Sequence, residues 1–193
     1  LPSLSSADRE LVEDTLRAVS LSLSVTDGAA AIPRYVTEAR ADYEYLVYRE
    51  LGDLYQRQER VKDAADTYAA FAALHPTHRQ SPFLTTRVIE VYQKAGFAAL
   101  AIDAKKTFVS QYGVASTWRR TNPSSYHNVM PLLRKHIEEL AQHFHASAQK
   151  SRQSADYREA ARWYRTFLHS FPGDPKASAM NFLLAEMLYE DKR

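Results

Sequence analysis

The chain has 193 residues, 45% hydrophobic and 25% charged, a composition typical of a globular protein that can bury a core. Its 25 basic and 23 acidic residues leave a net charge of +2 without any run of five Lys or Arg, which argues against nucleic acid or an anionic membrane as partner. The longest apolar runs, such as residues 97–102, are too short to insert into a membrane. Cysteine is absent, which excludes disulfides, thiolate zinc sites and cysteine nucleophiles.

The N-terminal segment predicts two helices separated by a turn. Ser5 and Asp8 have the spacing of a capping box that begins a helix. An apolar stripe at helical spacing follows, at Val12, Leu16, Val19 and Leu23. Asp27-Gly28 predicts the turn, and we expect the second helix at residues 29–40. We interpret residues 1–42 as an N-terminal helical cap or a degenerate repeat, which helical arrays need to cover their first face.

A helix pair with a specific motif is expected after residue 43. At the spacings W-x2-L-G-x2-Y, A-x3-F and P, the sequence has Tyr48, Leu51, Gly52, Tyr55, Ala64, Tyr68, Phe71 and Pro76. Gly inside a helix costs about 1 kcal/mol relative to Ala, so we expect Gly52 where two helices cross closely. On this motif the chain resembles the tetratricopeptide-repeat (TPR) family. That resemblance implies an all-α fold, a right-handed superhelical solenoid of antiparallel helix pairs.

Weaker matches to the motif continue along the chain. Residues 43–113 accommodate two TPR-like repeats, the second with Val88, Tyr92, Ala101 and Phe108 at motif positions. Residues 114–130 lose the periodicity, so we interpret them as an insertion, with Pro131 as the first residue of the next helix. Residues 131–193 predict an extended third repeat and the first helix of a fourth. Because the pattern stops within a repeat, we expect the chain to be part of a longer protein.

A second pattern lies in the C-terminal half, at Tyr164, Phe167-Leu168, Phe171-Pro172 and Leu184-Ala185-Glu186. In these residues the chain resembles the repeats of bacterial cell-envelope proteins of the BamD family of outer-membrane-assembly lipoproteins. This resemblance implies a periplasmic or outer-membrane-associated protein, with the cytoplasm as the alternative. The usual work of TPR proteins implies a scaffold whose partner is another protein or a peptide.

In TPR proteins the first helices line a concave groove, and the resemblance implies which residues would lie there. They are Leu46, Arg49, Asp53, Gln56, Phe83, Thr86, Glu90, Gln93, Lys135, Glu138, Gln142, His145, Ala179, Phe182, Glu186 and Tyr189. Asp53 and Glu90 stand where the family's carboxylate clamp has basic or neutral donors, so we expect no binding of an acidic chain terminus.

Trp118, Arg119 and Arg120 form a second candidate contact within the insertion. They combine an aromatic residue with two cations, the residue types enriched at interface hot spots. The alternative is that Trp118 folds back and covers the core.

We expect no catalytic, cofactor or metal site. Gly-rich phosphate loops, G-x-S-x-G and H-E-x-x-H are absent from the sequence. His143 and His145, two residues apart on a helix, point about 200° apart and cannot share an ion. The prediction is therefore a non-enzymatic interaction scaffold. Two alternatives stay open: an accessory helical domain of a multidomain enzyme, and a self-assembly segment that forms homo-oligomers.

Overall fold

The structure, a computed structural model, describes residues 5–36 and 41–192. These residues form helices and no strand, which confirms the all-α class. None of the described helices combines the length and the apolar character needed to cross a membrane. The chain divides into two compact units, Leu1–Ala101 and Ile102–Arg193.

Unit 1 is built from helices that pack mainly on their neighbours in sequence. The described helices are α1 (Ser6–Ser24), α2 (Ile32–Tyr35), α3 (Ala41–Arg57), α4 (Val61–Leu74) and α5 (Ser81–Lys94), followed by α6 (Ala98–Tyr112), which crosses the unit boundary. Helix α1 packs against α3, and α4 contacts both α3 and α5. Ser5 is the N-cap of α1, since its Oγ accepts a hydrogen bond from the backbone N–H of Asp8 at 3.1 Å.

The second helix of the N-terminal segment is shorter than predicted. A 3-10 turn spans Gly28–Ala31, α2 follows, and Val36 has extended backbone with φ −97° and ψ 114°. Gly28 has a φ of +60°, so the turn uses the left-handed conformation that glycine adopts without a steric penalty. The rest of the predicted helix, residues 37–40, lies outside the described residues.

Unit 2 contains a helix that begins earlier than the sequence indicates. After α6 come α7 (Thr117–Thr121), α8 (Tyr126–Ser151), α9 (Ser154–Ser170) and α10 (Ala177–Asp191), with α9 in contact with both α8 and α10. The prediction that Pro131 begins a helix is wrong, because α8 begins at Tyr126 and Pro131 lies inside it. Proline removes only one backbone hydrogen bond there, the one that would reach the carbonyl of His127.

One tight turn occurs twice, 37 residues apart, between α3 and α4 and between α5 and α6. Arg60 N–H donates to the Tyr55 carbonyl at 2.9 Å, and Phe97 N–H donates to the Tyr92 carbonyl at 2.9 Å. The residues before these two donors have positive φ, 57° at Glu59 and 78° at Gly96. The same local structure is therefore built with and without glycine.

A longer loop also occurs twice, 96 residues apart, after α4 and after α9. His75 and Phe171 each donate their backbone N–H to the carbonyl four residues earlier at 2.8 Å. The side chains of His78 and Asp174 each accept a hydrogen bond from the backbone N–H two residues later, at 3.1 and 2.8 Å. The two units thus contain helix pairs that end in the same way.

Candidate partner-binding surface

Two predicted groove residues of unit 1, Asp53 and Gln56, contact the hydroxyl group of Tyr68, on α4. This hydroxyl donates to Asp53 Oδ1 of α3 at 2.5 Å and accepts from Gln56 Nε2 at 3.1 Å. Burial and the hydrogen bond to Asp53 raise the pKa of Tyr68 well above its ordinary value, and the charge of Arg87 on α5 opposes this. Two helices, α3 and α5, therefore contribute polar side chains that act on a tyrosine of α4 whose ring lies in the core.

We call this face the Tyr68 surface and define it by Arg49, Asp53, Gln56, Phe83, Arg87, Glu90 and Gln93. Arg87 Nη1 and Glu90 Oε2 form an exposed ion pair at 3.3 Å. Phe83, at 36% exposure, adds an apolar contact. Leu46, expected in the groove, is only 4% exposed, so it belongs to the core and is not available to a partner.

One predicted groove residue of unit 2, His145, contacts a buried tyrosine in a similar way. His145 Nδ1 lies 2.8 Å from the hydroxyl of Tyr164, and Gln56 Nε2 lies 3.1 Å from that of Tyr68 in unit 1. Burial and the charge of Glu186 raise the pKa of Tyr164 to about 12. His145 is half-buried and Gln142 is exposed. This cluster is smaller than the Tyr68 surface and carries no arginine.

Glu138 is occupied by contacts within unit 2. Its carboxylate pairs with Arg134 at 3.2 Å and with Lys176, and Gln142 donates to it at 3.4 Å. Arg134 also forms a two-pronged contact with Asp174, at 2.5 and 2.9 Å, and lowers the pKa of that carboxyl to about 2. This network attaches the loop after α9 to α8. The carboxylate of Glu138 therefore stabilises unit 2 and is not free to bind a partner.

Trp118 is not the exposed anchor that the sequence suggested. Its side chain is 1% exposed and packs edge-on against Tyr112, with ring centroids 5.8 Å apart. The alternative, that it covers the core, is what the structure shows. Arg119 and Arg120 are exposed, and they donate to the carbonyls of residues 114 and 115 at 2.6 and 2.9 Å. The two arginines thus stabilise the turn before α7.

Sequence reasoning missed two groups of the Tyr68 surface. Arg87 falls between the groove positions that the TPR resemblance implies. The motif predicts Tyr68 as a core residue and its ring is buried, but helical spacing does not reveal the contacts of its hydroxyl group. The sequence does contain a signal for this cluster, since a tyrosine in place of phenylalanine at a core position has a hydroxyl group that needs a hydrogen-bond partner. Within the described ranges, no group of three or more His, Asp and Glu could hold a metal ion.

No family model, curated protein or solved structure matches the chain. The resemblance to TPR and cell-envelope proteins therefore stays a prediction. What the structure adds is the local arrangement of each helix pair and of the Tyr68 surface.

Proposed function

We propose that the chain is a protein-interaction scaffold of the TPR type, a right-handed superhelical solenoid of antiparallel helix pairs. Its first binding surface is the Tyr68 surface. The observation that carries this proposal is the polar cluster in which Asp53 and Gln56 of α3 and the charge of Arg87 of α5 act on Tyr68 of α4. The turns and loops that recur along the chain support stacked pairs, and such stacks bind partners along extended faces.

The chemistry of the surface favours a polar partner segment that carries both signs of charge. Arg49 and Arg87 offer cationic donors, while Asp53 and Glu90 offer carboxylates. Exposed ion pairs such as Arg87–Glu90 contribute little to folding, roughly 0–1 kcal/mol, so a partner can replace them at small cost. Phe83 can cover an apolar side chain of the partner.

Changing Arg49 and Glu90 together to alanine should abolish at least nine-tenths of partner capture. The two side chains lie on α3 and α5, so the double variant removes a contact from each end of the surface. Loss of two interface contacts worth about 1 kcal/mol each would weaken binding by more than tenfold. The measurement is affinity capture with the purified chain from bacterial envelope and cytosolic extracts, read by mass spectrometry.

The matched control is Lys62→Ala with Asp66→Ala, an exposed ion pair on α4 outside the Tyr68 surface. This control should capture the same partners as the wild-type chain, and both double variants should keep its melting temperature. If the Arg49 and Glu90 variant retains its partners, the Tyr68 surface is not the binding site. The extract that supplies the partner identifies the compartment.

A further inference from the structure

A second concave surface of unit 1 lies between α1, α2 and α3. We call it the α1–α3 groove. It has a volume of about 570 Å³ and walls that are mostly apolar, formed by Val19, Leu23, Ile32 and Val47. Tyr35 and Tyr43 stand at its rim, 72% and 58% exposed. A groove of this size and character resembles the sites that hold ligand-sized groups.

Glu44 gives this apolar groove a buried negative charge. It is the only charged side chain among the described residues that line the groove, and it is 6% exposed. Its Oε2 lies 2.8 Å from Nε2 of His75 at the end of α4. Burial, together with the charge of Glu44, raises the pKa of the neighbouring Tyr48 to about 12.

The carboxylate of Glu44 can accept more hydrogen bonds than the described residues donate to it. The contact with Nε2 of His75 involves Oε2, and no hydrogen bond or ion pair of Oε1 is found among the described residues. An ionised carboxylate has about four acceptor positions across its two oxygens. Removing it from water is costly unless these positions are filled, so an incoming cation would gain both charge pairing and hydrogen bonds.

The charge of the lining favours a cation as well. Glu44 is negatively charged, so it repels an acidic segment and attracts a basic one. A ligand with only apolar groups would leave Glu44 without a new partner.

We propose that the α1–α3 groove binds a segment of a partner protein in which one Lys or Arg is flanked by apolar side chains. The cationic group pairs with Oε1 of Glu44, and the apolar neighbours cover Val19 and Val47. This site is separate from the Tyr68 surface and goes beyond the function proposed above. It would allow the chain to hold two partner segments with different chemistry.

The test is selection from a phage-displayed library of random nonapeptides on the wild-type chain and on Glu44→Gln. The wild type should enrich peptides with a basic residue between apolar ones, and these should bind Glu44→Gln at least tenfold more weakly. Peptides that lack a basic residue, or that bind both proteins equally, would overturn the proposal. Circular dichroism of Glu44→Gln checks that the variant is folded.

The position of binding is tested with two matched variants of α1. Val19 lines the groove, whereas Leu21 is an exposed apolar residue of α1 outside it. Val19→Gln should weaken the enriched peptides and Leu21→Gln should not. In methyl NMR spectra of the wild type, the peptides should shift the methyl resonance of Ile32 and leave that of Ile89 unchanged. Peptides lost instead in the Arg49 and Glu90 variant would assign binding to the Tyr68 surface and overturn the groove site.

Discussion

Gly52→Ala should destabilise the protein by about 1–3 kcal/mol, although alanine is the better helix former by about 1 kcal/mol. The reason is the ring of Tyr68, which lies directly against the backbone of α3. A Cβ at Gly52 would fall inside the contact distance of three ring atoms, with Cδ1 at 2.8 Å. The ring cannot move away freely, because its hydroxyl is held by Asp53 and Gln56. Urea unfolding monitored by circular dichroism measures the loss.

Gly173→Ala is the matched control for this prediction, since a Cβ at that position meets nothing within 4 Å. It should change the free energy of unfolding by less than about 0.5 kcal/mol. Adding Tyr68→Ala to Gly52→Ala should cost less than the sum of the two single changes, because the clash is then absent. Full stability of Gly52→Ala would show that the two helices do not cross this closely.

Lowering the pH from 6.5 to 4 should destabilise unit 2 by about 3 kcal/mol through His136 alone. This side chain is 2% exposed on α8, and the one polar contact of its ring among the described residues is long, 3.5 Å from Nδ1 to Oε2 of Glu139. Its ring packs against Phe108 of α6, with centroids 4.8 Å apart. Burial lowers the pKa of His136 to about 4, an effect that Glu139 opposes and that Lys105 and Lys135 reinforce.

The direction of the change in stability with pH depends on whether the folded or the unfolded chain binds the proton. Between pH 6.5 and 4 the unfolded chain protonates this histidine while the folded chain keeps it neutral, so stability is full above pH 6.5 and falls towards pH 4. Burial would raise the pKa of Glu139, but Lys105 at 2.9 Å and the charge of Lys135 lower it overall. Glu139 therefore adds a further loss of stability in more acidic solution.

His136→Leu should flatten the stability curve between pH 6.5 and 4 and leave the stability at pH 7 equal or higher, because the ring loses only the long contact of 3.5 Å with Glu139. His143→Leu, an exposed histidine of the same helix, should keep the acid sensitivity of the wild type. Denaturant unfolding at several pH values gives both curves. An NMR titration of His136 with a midpoint near 6.5 would contradict the prediction.

The motif after residue 43 predicts which small and large residues meet in unit 1. Tyr48, Leu51, Tyr68 and Phe71 are all buried, and Gly52 lies against the Tyr68 ring. Such features are readable in sequence because helical spacing decides which side chains share a face. The apolar residues are also the ones whose burial provides most of the free energy of packing.

Whether a predicted groove residue is free to contact a partner depends on tertiary contacts, which the periodicity of the sequence does not predict. Glu138 is occupied by Lys176, which lies 38 residues later, and this pairing needs the loop after α9 to be in place. Leu46 is buried although the TPR resemblance implies a groove position for it. The α1–α3 groove was missed for the same reason, since its walls come from helices that share no motif.

The principal contacts of each unit join helices that follow one another closely along the chain. Helix α4 packs against α3 and α5, and α9 packs against α8 and α10. Closing such short connections costs little entropy, and chains rich in local contacts fold in microseconds to milliseconds. Most helices therefore pack mainly against a helix that is synthesised just before or just after them. Folding of this chain can begin on the ribosome, pair by pair, before its C-terminal helices have been translated.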